Sequence, residues 1–159
     1  MSINKYCIGL LCLLFTFFTS FTAFTQTKQK IPVKQTAPPL KSLISGTGLP
    51  YKMVNDSLAI IPYEGENIES YEVSVLKAGD LYIVYTNLTT ILPGKIDETK
   101  YKYLLQRNEY FDLVKIGMSD DNSVYIRVDT YSSILTKSIL TRIIRQVANV
   151  SNIIAGEIQ

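Results

Sequence analysis

The 159-residue chain contains no histidine and no tryptophan, and its only two cysteines, Cys7 and Cys12, sit close to the N-terminus. Each absence removes a class of chemistry. Serine–histidine and cysteine–histidine catalysis lack their base. A metal would have to be held by carboxylates alone, which favours Ca²⁺ or Mg²⁺. A surplus of charge is missing too: 16 Lys+Arg against 14 Asp+Glu leave +2, too little to draw nucleic acid by electrostatics. What remains is an ordinary globular composition, 47% hydrophobic and 19% charged, with length for one domain and a real core.

The first residues read as a targeting segment. Lys5 is followed by an uncharged run from Cys7 to Phe24, and polar residues begin at Gln26. That order of basic start, apolar centre and polar exit is the layout of a secretory signal peptide, residues 1–25, cleaved before Gln26. An uncleaved N-terminal anchor is the competing reading, because about 18 apolar residues come near the length of a membrane span; interruption by Thr and Ser favours cleavage. Cys12 follows Leu10 and Leu11 rather than a small residue, which argues against lipid attachment. Cleavage would leave a chain without cysteine, dependent wholly on its core, exported to the periplasm or beyond and with no integral membrane association.

Residues 26–39, rich in Gln, Lys, Thr and Pro, read as a flexible tether. A single domain is expected over 40–159. Leu40, Leu43 and Ile44 have helical spacing, stopped by Gly46 and Gly48. Leu58–Tyr63, Tyr71–Lys77 and Asp80–Thr86 read as strands, the last two joined by a tight turn in which Gly79 supplies positive φ. Tyr71, Val73 and Val75 share a face. On the third strand Leu81, Ile83 and Tyr85 take one face, while Tyr82, Val84 and Thr86 take the other, so neither is simply polar. Leu88–Ile96 reads as a loop closed by Pro93 and Gly94. Asp97 or Thr99 can cap a helix whose Tyr101, Leu104, Leu105 and Asn108 fall on one face.

The period then changes to two. Val114, Ile116 and Met118 share one side of a strand, and Val124, Ile126 and Val128 share one side of the next. Thr136 caps a final helix with the apolar stripe Ile139, Leu140, Ile143, Ile144, Val147 and Val150. The expected class is α+β in two layers, α-βββ-α-ββ-α, with a twisted antiparallel five-stranded sheet and helices packed on one face. This order, together with Leu104-Leu105-x-x-Asn108, Val114-x-Ile116-Gly117-Met118 and Val124–Asp129 ahead of an amphipathic helix, resembles the type III secretion chaperone-like superfamily. It resembles most the bacterial sensory transduction regulator branch. The resemblance covers roughly residues 40–155 and implies a non-enzymatic role, frequent homodimers and the holding of extended partner segments. The leader departs from the cytoplasmic setting of secretion chaperones.

No constellation points to catalysis, a metal or a cofactor. Asp120-Asp121-Asn122 lacks the glycine of a helix–loop–helix calcium site and has Tyr131 where the closing glutamate belongs, so it reads as a hairpin turn. Glu64, Glu66 and Glu69 lie in an acidic turn that offers no cleft for paired-carboxylate chemistry. The feature above background is the hairpin face opposite the apolar one, which carries Lys115, Tyr125, Arg127 and Asp129. Tyr and Arg favour binding hot spots because a rigid ring and a forked cation combine area with hydrogen bonds. The expectation is a non-catalytic domain that binds protein, either itself as a homodimer or an extended client segment added along a strand edge. A small-molecule or lipid carrier with an apolar pocket between helices and sheet is the alternative.

Overall fold

Alternation along the strands and helical stripes between them set the architecture. The computed structural model describes residues 37–92 and 96–158. The leader, most of the tether and the Pro93–Gly94 loop closure lie outside the described residues. Helix α1 (Leu40–Ser45) leads into β1 (Lys52–Asn55), β2 (Leu58–Tyr63), β3 (Tyr71–Ala78) and β4 (Leu81–Asn87). A short helix α2 (Leu88–Ile91) and α3 (Glu98–Arg107) follow, then a 3₁₀ turn (Asn108–Tyr110), β5 (Lys115–Met118), β6 (Val124–Tyr131) and α4 (Lys137–Ile158). The strands form one antiparallel sheet in the order β1-β2-β3-β4-β6-β5.

Six strands stand where five were expected. The missed strand, β1, has four residues, three of them exposed, and a bulge between Met53 and Asn55. A segment that short and that exposed carries no alternation for sequence to reveal. Leu88–Ile91, expected as loop, is a turn of helix because the Asn87 side chain accepts from Thr89 N at 3.0 Å. Three turn and cap expectations hold: Gly79 has φ +63° at the β3–β4 turn, Asp97 accepts from Lys100 N at 2.8 Å at the start of α3, and Thr136 Oγ1 accepts from Ile139 N at 3.2 Å ahead of α4.

The helices take one face of the sheet. Ala59, Ile61, Val73, Val75, Tyr82, Val84, Ile126 and Val128 point into a core closed by Leu40 and Ile44 of α1, Leu104 of α3, and Leu140, Ile144, Val147 and Ile154 of α4. On β4 it is Tyr82, Val84 and Thr86 that face the helices. The Tyr71 hydroxyl donates to Ala148 O on α4 at 2.9 Å, tying strand to helix through a satisfied buried polar group. Residues 37–39, from the stretch expected as tether, are held against the domain. Lys77 Nζ donates to Ala37 O and Pro38 O, each at 3.2 Å, and the Tyr82 hydroxyl donates to Pro38 O.

Three residues expected on apolar faces lie exposed: Leu105 at 66%, Met118 at 53% and Ile139 at 39%. Helix α3 packs on β5, the last strand of the sheet. Leu104 alone of its residues is buried. No helix among the described residues is long and apolar enough to cross a membrane.

Candidate protein-binding face

The face of the sheet away from the helices is built by register. Leu58 pairs with Leu76, Leu76 with Ile83, and Ile83 with Asp129, making one row across four strands. The neighbouring row runs Ile60, Ser74, Tyr85, Arg127 and Lys115. Leu58, Ile60, Leu76, Ile83 and Tyr85 are half-buried by their neighbours and stand outside the core cluster. This surface is therefore apolar at its centre and polar toward β5.

Sequence reasoning singled out Lys115, Tyr125, Arg127 and Asp129, and the structure brings all four together at that polar end. Gly117 is the cross-strand partner of Tyr125. A Cβ at Gly117 would come within 2.6 Å of the Tyr125 ring and hydroxyl, so the Ile-Gly pair leaves room for the aromatic ring to lie over the strand. The Arg127 guanidinium sits 5.9 Å from the Tyr125 ring centroid. It grips Asp129 with both arms, Nε to Oδ1 at 2.6 Å and Nη2 to Oδ2 at 2.8 Å. That bond to the Asp129 carboxylate raises the Arg127 pKa further above its ordinary value. Lys115 Nζ donates to Phe111 O at 2.9 Å. The ladder is thus preorganised, Arg127 paired with Asp129 and Lys115 held by a backbone carbonyl, and such a partly exposed ion pair contributes about 0–1 kcal/mol. It fixes side-chain positions more than it stabilises the fold.

Two hollows flank the Tyr125–Arg127 ridge. One, of about 290 Å³, is lined by Leu76, Ile83, Tyr85 and the Ser119–Ser123 turn; the other, of about 590 Å³, lies toward Leu113 and Lys115. The turn itself is settled internally. Asn122 has φ +64°, and Asp121 accepts from Ser119 Oγ at 2.5 Å and from Ser123 N at 3.0 Å. Those bonds, the Ser119 hydroxyl first, hold its carboxyl below the usual range. Among the described residues no group of three or more His, Cys, Asp or Glu side chains could hold a metal.

Leu58, Ile60, Leu76 and Ile83 are the residues sequence reasoning missed. The available signal was β4, apolar on both faces, which is the pattern of a strand covered on both sides. The carrier alternative finds no support between helices and sheet. The apolar hollow there, lined by Tyr101, Leu104, Leu105, Ile116 and Met118, measures about 60 Å³, against roughly 300 Å³ or more for a small-molecule pocket.

An antiparallel sheet with helices on one face is shared with solved chains that include members of type III secretion complexes, and the expected likeness is shown at the level of fold. The heterodimeric ExoU–SpcU complex from the type III secretion system of Pseudomonas aeruginosa contains a chain that superposes with a TM-score of 0.53 at 14% identity. That match covers 76% of this chain and 98% of the other. A chain of the ExsC–ExsE complex gives 0.53 at 11% identity, covering 76% and 97%, and YbjN from E. coli gives 0.52 at 13%, covering 76% and 91%. The sequence matches no family model and no curated protein.

Proposed function

We propose that this domain is a non-catalytic protein-binding module that holds an extended segment of a partner polypeptide on the outer face of its sheet. The observation that carries the reading is the half-buried apolar row Leu58–Leu76–Ile83, continuous with the Tyr85, Tyr125 and Arg127 ridge. An apolar surface bordered by aromatic and guanidinium groups suits alternating side chains of an extended chain. Two of the structural neighbours come from complexes with a second protein, which supports the same reading. The absence of histidine from the whole sequence and of cysteine after Cys12 accords with a role that needs no nucleophile.

The leader adds the second half of the proposal, that the domain does this work after export, in the periplasm or outside the cell. The exported protein should begin at or within a few residues of Gln26 by intact-mass analysis. Retention of Met1 would overturn that half alone.

The binding half is tested by Tyr85→Ala combined with Arg127→Ala, which removes a ring and a cation facing each other across β4 and β6. Association should weaken at least tenfold while the urea midpoint stays near that of the parent. It is read as a shift toward monomer in sedimentation if the partner is a second copy, or as loss of co-purified polypeptide if it is another protein. Unchanged association at equal stability would contradict the assignment of this face.

A further inference from the structure

The two edges of the sheet are β1 and β5, and an edge strand presents unpaired N–H and C=O groups to any other strand. Both edge strands have four residues, and at β1 the hazard is further limited by a bulge. The β5 edge carries a different device. Asn108, just past α3, donates from Nδ2 to Ile116 O at 2.9 Å and accepts at Oδ1 from Ile116 N at 2.7 Å. A side-chain amide presents an N–H donor and a carbonyl acceptor in one plane, as a peptide group does, so these two bonds reproduce a rung of strand pairing. Ile116 lies opposite Ile126, and with its polar groups turned to Asn108 it faces away from β6. By the antiparallel alternation Met118 turns the same way.

The surroundings explain why an edge here would need closing. Met118, two residues along β5 from Ile116, and Leu105, three residues before Asn108, are both strongly exposed, and exposed apolar residues beside an open edge invite strand addition.

We infer that Asn108 is an edge guard: its side chain occupies the pairing position at Ile116 and thereby keeps a second copy of this chain from adding its own β5 edge. The inference stands apart from the proposed binding face, since it concerns the edge and not the face. It also removes the middle of β5 as the place where an extended client would add.

The experiment compares the full chain, as processed on expression, with N108A, by amide hydrogen exchange and by sedimentation over a concentration series. In the parent, the Ile116 amide should be protected and self-association through this edge absent. In N108A, exchange at Ile116 should accelerate at least tenfold while Ile126, on the neighbouring strand, keeps its rate, and association should rise with concentration. Unchanged exchange at Ile116, or a faster Ile116 without increased association, would overturn the guard. Should N108A unfold, shown by Ile126 also exchanging fast, N108D decides. It keeps an acceptor for Ile116 N and loses the donor to Ile116 O, so association above the parent's supports the inference and association equal to the parent's overturns it. Altered binding by the Tyr85/Arg127 variant would leave both results as they are.

Discussion

Tyr71 shows how much one residue decides. Its ring lies on the core face of β3, stacked on Tyr63 with centroids 5.8 Å apart, and its hydroxyl reaches the backbone of α4 at Ala148. Burial first, and the neighbouring Tyr63 second, push its pKa from 10.0 up to about 12. The folded group therefore keeps its proton at pH values where the unfolded chain has lost it. That contribution to stability is fully present below pH 10 and is lost as pH rises from the unfolded value through about 12, by about 3 kcal/mol in all. Tyr63 and Tyr82, also raised by burial, add to the same slope. Tyr71→Phe should cost about 1 kcal/mol at neutral pH through the lost hydrogen bond, and it should flatten the alkaline decline measured by urea midpoints between pH 9 and 11.5. An identical decline in parent and variant would show that Tyr71 is not the buried titrating group.

At the scale of elements, legibility followed burial. The central hairpin was readable because Ile116 and Ile126 are buried at 5% and 0% and pair directly across β5 and β6. The last helix was readable because Leu140, Ile143, Ile144 and Val147 all face the core. β1 escaped because three of its four residues are exposed. Leu105 and Met118 misled because a helical or strand period gives the direction of a side chain and not how much of it other elements cover, and both stay exposed. Asn108 was legible as the last position of an α3 face, but the backbone rung it closes on β5 could not be read, since no periodicity encodes a side-chain-to-edge bond. The hairpin register has a direct check. Ile116→Ala and Ile126→Ala should each cost about 2–4 kcal/mol, whereas Lys115→Ala, on the opposite and exposed side, should change the urea midpoint little. Two isoleucine variants with unaltered midpoints would mean that the register is wrong.

For the whole molecule, the sheet divides the domain into two unlike sides. One side is a closed core that joins α1, α3 and α4 to five of the strands, together with Met53 of β1. The other is an apolar and aromatic surface with the Arg127–Asp129 ion pair at its border. The sequence disclosed the border residues Lys115, Tyr125, Arg127 and Asp129 because they alternate with a strongly apolar face. It did not disclose the centre, because Leu58, Leu76 and Ile83 come from three strands, and only the register places them in one row. With a bulge at β1 and Asn108 bonded to the middle of β5, the reading proposed above places an extended partner on the outer face.

Site-specific photocrosslinking tests that claim most directly. A photoreactive phenylalanine analogue at Ile83, in the middle of the outer face, is compared in the producing cells with the same group at Lys41, an exposed position on α1. Binding through the outer face predicts a discrete polypeptide adduct from position 83, either a second copy or a distinct partner, that is absent from position 41. No adduct at position 83, or adducts of equal yield at both positions, would contradict it.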